Sequence, residues 1–176
     1  MLDDDRLVNV TDRMSYLEDP RKEYAIGDVR SPSARWKPVP SKHVNFGYTR
    51  SAYWFRLSLE NPGSAGQATL LEIDFPTLDH VSLYKPGPDG GYEVSKTGDR
   101  LPFAHREIGD AGFLFKLDLP AGETTIYLRV ETAGSLRFKA MVMPAYRYLE
   151  HTNRRMPLLW LLYGMMLLTA LFNLFL

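Results

Sequence analysis

The residues able to do chemistry are few and scattered. The four histidines, His43, His80, His105 and His151, lie far apart and fit no ligand spacing on a helix. There is no cysteine, which excludes a disulfide scaffold, a thiol nucleophile and any cysteine metal site. No GxSxG, HExxH or P-loop occurs. Asp3, Asp4 and Asp5 form an acidic run, but the spacing and closing Glu of an EF-hand are absent, so it reads as a solvated terminus. Gly90-Gly91 lies between strands and not before a helix, so it is a hairpin pair and not a phosphate cradle.

Three settings remain. Phe75-Pro-Thr-Leu-Asp-His80 is a strand end entering a polar turn, with Asp79 and His80 at its tip. Thr97 to Arg106 is a loop dense in Asp99, Arg100, His105 and Arg106. It reads either as an Asx turn and ion pair closing one end of the fold, or as a polar ligand site. Trp54, Tyr84 and Tyr127 alternate outward from their strands. Such rings can stack on the C–H faces of sugars, or pack under a second layer or a partner. Glu72, Asp74, Asp79 and Asp99 are candidate oxygen ligands for calcium, the one cofactor in view. No carboxylate pair sits in a setting that suggests a glycosidase, so no catalysis is expected.

The elements that must position these residues are strands. Tyr53, Phe55, Leu57 and Leu59 alternate with Trp54, Arg56, Ser58 and Glu60. The same period runs through Thr69–Phe75, His80–Tyr84, Phe113–Leu119, Ile126–Glu131 and Leu136–Val142, and more weakly through Leu7–Val10 and Tyr92–Lys96. Turn chemistry separates them at Asn61–Gly66, Pro86–Gly91, Pro120–Glu123 and Ala133–Ser135. Strands with one apolar face must bury it against a second sheet, which predicts an all-β antiparallel sandwich, a jelly roll. Ala25–Ser31 is expected to form one helical turn, and Trp36–Asn45 a Pro-rich connector.

The 176 residues carry 21 basic and 21 acidic side chains, a balance that argues against nucleic acid as a partner. The tail breaks the pattern. Pro157–Leu176 contains no charged residue, and twenty helical residues rise about 30 Å, the thickness of a bilayer's hydrocarbon core. Trp160 and Tyr163 stand near its start, where interfacial aromatics belong. Asn173 is expected to bond a neighbouring helix. The expected organisation is a sandwich over 1–145, a juxtamembrane linker over 146–156 and a transmembrane helix over 157–176. The start, MLDDDRLVNV, has no apolar h-region, so an export signal was either removed or never present. The tail is read as the first span of a longer membrane protein.

Several motifs then fall in order: Trp54-x-Arg56, Asp79, Thr97-Gly-Asp99-Arg100-x-Pro102-Phe103-x-x-Arg106 and Tyr127-x-Arg129-Val130. In order and spacing they resemble the second type of extracellular sensory domain of seven-transmembrane receptors with diverse intracellular signalling modules, 7TMR-DISMED2. The resemblance covers roughly Leu7 to Leu176. It implies a jelly roll similar to carbohydrate-binding modules, lying in the periplasm and followed by helices in the inner membrane. It also implies a ligand-sensing role. The candidate ligand residues are Trp54, Arg56, Asp79, His80, Tyr84, Asp99, Arg100, His105, Arg106, Tyr127 and Arg129. The expected ligand is a carbohydrate or similar small polar molecule. A calcium-responsive domain, and a module that dimerises or binds a partner receptor, stand as alternatives.

Overall fold

Period-two alternation decides the strands. Along β5 (Ala52–Asn61), Tyr53, Phe55, Leu57 and Leu59 are buried toward one side. β6 (Gln67–Ile73), β7 (His80–Pro86), β9 (Phe113–Leu119) and β10 (Gly122–Glu131) repeat the pattern. The shorter strands are β1 (Val8–Asn9), β2 (Ser15–Asp19), β3 (Lys37–Pro38), β4 (Val44–Tyr48), β8 (Tyr92–Thr97), β11 (Ser135–Phe138) and β12 (Ala140–Pro144). One short helix, α1 (Ile26–Arg30), lies between β2 and β3, and α2 (Ala145–Phe175) follows β12. This computed structural model describes residues 7–175, without the side chains of 149–159 and 175.

The strands form a β-sandwich. One sheet runs β3-β2-β5-β10-β7-β8 and the other β1-β12-β6-β9, with β11 paired to β4. Every pairing is antiparallel; β10 lies along β5 from Gly122 opposite Asn61 to Val130 opposite Tyr53. β11 passes into β12 across Lys139 alone, so β4 extends the second layer. The orders β5-β10-β7-β8 and β4-β11/β12-β6-β9 are the pairing orders of a jelly roll. Phe55, Leu57, Leu83, Leu128 and Val130 from one sheet meet Leu71, Ile73, Phe113, Phe115 and Val142 from the other in a single core.

Two details depart from the sequence expectations. The single strand expected over Leu136–Val142 is broken at Lys139, whose N–H donates to Asp74 Oδ1 at 2.6 Å and whose carbonyl accepts from the Asp74 amide. Ser15–Asp19 and Val44–Tyr48 are strands although their patterns are mixed; they gain ladder partners in β5 and β11. Residues 146–156, expected as a linker or short helix, are helical within α2.

The chain divides into two compact units, Met1–Pro144 and Ala145–Leu176. The expected span 157–176 falls partly outside the described residues, as does the Asp3–Asp5 run. Among the described residues no helix is long and apolar enough to cross a membrane. In α2, Trp160, Leu168 and Leu174 are exposed. Asn173 Nδ2 donates to the Thr169 carbonyl at 2.8 Å within the helix.

Candidate functional site

The outer face of the six-stranded sheet carries most of the aromatic candidates. Register aligns Ser15, Arg56, Tyr127, Tyr84 and Val94 in one row across five strands. The next row is Leu17, Trp54, Arg129, Ser82 and Lys96. A second layer covers part of this face. It leaves β2 at Asp19, a buried carboxylate that accepts the amides of Glu23 and Tyr24, both at 3.1 Å. Lys22 makes the turn in the left-handed region, φ 60°. The Ala25 amide donates to Asp28 Oδ2 at 2.8 Å and starts α1. Trp36 Nε1 donates to the Val29 carbonyl at 3.2 Å and closes the segment back on itself.

The result is a small second core. Val29, Trp54 and Tyr127 are buried in it, and Leu17, Ile26, Trp36, Tyr84 and Tyr92 are half-buried around them. Trp54 is therefore not the exposed stacking platform that its outward position suggested; at 0% exposure it lies under residues 20–36. Its Nε1 has no hydrogen-bond partner among the described residues. The Trp54 and Tyr84 rings are 5.0 Å apart. Arg56 sits 5.0 Å over the Trp36 ring and Arg30 5.0 Å over Tyr92.

Charge ties the covering layer to the sheet at one point. Lys22 Nζ lies 2.5 Å from Glu131 Oε1, and Arg129 Nη2 lies 3.2 Å from Glu131 Oε2. Burial pushes the Glu131 carboxyl up, but Lys22 and Arg129 outweigh it and hold the group below the usual carboxylate range. Tyr92 is raised, first by burial and then by Tyr127, with Arg30 opposing. Arg129, a candidate ligand residue, is thus already engaged with a carboxylate.

The loop candidates divide in two. Gly98 stands at φ 149°, and a Cβ there would lie 2.0 Å from the Asp79 carbonyl oxygen, so the approach of this loop to β7 requires glycine. The Asp99 amide donates to the Leu78 carbonyl at 2.8 Å. Asp79 Oδ2 accepts the Ala133 amide at 2.7 Å, and Oδ1 lies 3.5 Å from Arg100 Nε. Arg106 donates to the carbonyls of Asp110 and Ala111 and packs over the rings of Phe103 and Phe113. Asp79 and Arg106 therefore hold backbone at this end of the sandwich. His80, Asp99 and His105 are exposed, and Arg100 extends into solvent beyond Asp79.

The calcium candidates do not assemble. Glu72 lies on β6 of one sheet, whereas Asp79 and Asp99 lie at the start of β7 and after β8 of the other. Asp74 is engaged with Lys139. Among the described residues no three His, Cys, Asp or Glu side chains could hold a metal ion. The residues missed in the sequence are Arg30, Trp36 and Tyr92. The signal was there: Ile26, Val29 and Trp36 are isolated apolar residues in a polar connector, which is what a short covering layer needs.

No curated protein matches the chain. Among solved structures, TmCBM61 in complex with beta-1,4-galactotriose is 12% identical over 79% of this chain and 87% of that one, with a TM-score of 0.39. A structure of carbohydrate-binding modules from the β-sandwich superfamily is 13% identical over 81% and 56%, with a TM-score of 0.31. The K1 cleaved adhesin domain of Lys-gingipain from Porphyromonas gingivalis W83 is 9% identical over 79% and 94%, with a TM-score of 0.35. At these scores the likenesses carry no argument about ligand. The family match is of another order: the model for 7TMR-DISM extracellular 2 matches residues 11–144, the sandwich from the turn before β2 to the end of β12, and the chain belongs to the 7TMR-DISMED2 family.

Proposed function

We propose that this chain is the ligand-sensing extracytoplasmic part of a bacterial membrane receptor, which takes a carbohydrate or similar small polar ligand. Membership of an extracellular domain family carries this reading. The half-buried aromatics on the outer face of the six-stranded sheet support it, because rings flanked by polar groups suit sugar faces. In this reading the sandwich lies in the periplasm, and α2, with its exposed Leu, Met and Phe side chains, lies at the inner membrane. The reading needs no cofactor and no catalytic step. A ligand shifts a receptor only by binding its two states unequally. α2 follows β12 without an intervening residue, so chain continuity makes it the route inward.

The test is a melt of the full chain in mild detergent, followed by tryptophan fluorescence, with neutral and acidic oligosaccharides, with calcium and with chelator. A ligand at a hundred times its Kd stabilises by about 2.7 kcal/mol, a few degrees in Tm. A rise with a sugar class is expected. A rise with calcium alone, or none with any sugar, would overturn the carbohydrate reading in favour of a cation or a protein partner.

A further inference from the structure

Five side chains, from the outer face of the six-stranded sheet and the layer that covers it, form a continuous line. Arg56 lies 5.0 Å over Trp36, Trp36 is 6.0 Å from Tyr127, Tyr127 is 5.7 Å from Tyr92, and Arg30 lies 5.0 Å over Tyr92. Three aromatic rings are thus capped at each end by a guanidinium. Trp36 and Tyr92 are only half-buried.

Among the described residues neither Arg30 nor Arg56 forms an ion pair, although the chain holds as many acids as bases. The carboxylates that hold the covering layer are engaged elsewhere. Glu131 is taken by Lys22 and Arg129, Asp28 by the Ala25 amide, and Asp19 by the amides of Glu23 and Tyr24. A clamping role over Trp36 would explain one stacked guanidinium. It does not explain why both ends of one aromatic line lack a carboxylate. A second, independent observation lies beside the line: Trp54 Nε1 is fully buried in the same cluster and donates to nothing among the described residues.

We infer that this line is the binding surface for an acidic oligosaccharide, with the sugar packed against the exposed parts of Trp36 and Tyr92 and its carboxylates met by Arg56 and Arg30. Guanidinium is the group that matches a carboxylate in plane and in donor spacing, and it keeps its charge when half-withdrawn from water. The rings supply the apolar contact that a bare anion site would not need. Having cations at both ends favours a ligand with more than one acidic sugar. The inference rests on the sensor reading above and narrows its ligand.

The experiment is calorimetric titration of the full chain in detergent micelles with trimers of galacturonate, glucuronate and mannuronate. Each is paired with its carboxyl-reduced neutral counterpart, and citrate and inorganic phosphate are run alongside. At least one acidic trimer is expected to bind, with its neutral counterpart weaker by at least about tenfold. Arg30→Gln and Arg56→Gln are each expected to weaken the acidic trimer by about tenfold, while Arg56→Lys retains part of the affinity. Equal binding of the neutral counterpart would overturn the acidic ligand and leave the carbohydrate sensor standing. Acidic binding unmoved by both glutamine variants would overturn this location. Citrate or phosphate binding as well as the trimers would reduce the line to an anion site without sugar recognition. No binding by any sugar would overturn this inference and the carbohydrate reading together.

Discussion

The two faces of the six-stranded sheet are made from the same strands and meet different demands. On the inner face, Phe55, Leu57, Leu83, Leu128 and Val130 pack against the second sheet and have no polar atom to satisfy. On the outer face, Trp54, Tyr84 and Tyr127 are covered by only a short segment, and their polar atoms need partners. Trp36 Nε1 finds the Val29 carbonyl; Trp54 Nε1 finds none among the described residues. The inner face specifies the fold by volume. The outer face is held by a few directed bonds and cation–ring contacts, which is the kind of surface a ligand can enter.

The largest expected effect breaks the inner face. Phe55 is 0% exposed, and Phe55→Ala should cost about 3–5 kcal/mol, because a cavity is left as well as a transfer term lost. The urea midpoint would report it. A loss below about 1 kcal/mol would mean that the inner face is not close-packed and the comparison fails on its firm side.

Asp19→Ala should act on the outer layer instead. It leaves the amides of Glu23 and Tyr24, in residues exposed to water, without their acceptor, at about 0.5–1.5 kcal/mol for each bond lost. The informative readout is limited proteolysis. Cleavage within residues 20–36 should rise under conditions where the sandwich stays folded, since layers with few apolar contacts open locally. Cleavage that tracks global unfolding would show the two faces to be one cooperative unit.

The difference between the faces also governs what could be read in the sequence. Phe55, Leu57 and Leu59 announce a buried face because apolar residues at every second position leave no other arrangement. The same alternation set Trp54, Arg56, Ser58 and Glu60 outward, and that was right as to direction. It was silent about cover, because residues 20–36 have no period: five helical residues, two prolines and Trp36 do not form a strand or a long helix. The loop candidates were ambiguous for another reason. Asp79 and Arg106 are the residue types that bind polar ligands, and also the types that hold turns, and only coordinates show that Ala133, Asp110 and Ala111 take their bonds. β2 and β4 went unseen because their stability comes from partners distant in the chain.

Acid sharpens the comparison at the one point where charge joins layer to sheet. Burial would raise Glu131, but Lys22 and Arg129 hold it lower, so its folded value lies below its unfolded one, about 4.3. A depressed carboxyl contributes stability that is present above the unfolded value and lost as pH falls through the folded one. The stability gap between the protein and Glu131→Gln should thus be constant near neutrality and shrink below about pH 5. A gap independent of pH down to about 3 would mean the pair with Lys22 contributes nothing.

The smallest effect is the most telling for the outer face. Trp54→Phe removes a buried indole N–H that has no acceptor among the described residues, and it keeps an aromatic ring 5.0 Å from Tyr84 in the unsubstituted protein. Two effects oppose. A smaller ring loses apolar contact and leaves a void, which costs about 1–3 kcal/mol in a tight core. An unsatisfied donor already costs about 1–3 kcal/mol, and the substitution relieves that cost. The expected result is a Tm within a few degrees of the parent, with a net change inside about 1 kcal/mol, against the large loss at the neighbouring Phe55. A loss above about 2 kcal/mol would show that the indole N–H is satisfied after all, by water or by a side chain, and would remove the orphan donor from the argument for a ligand at this face.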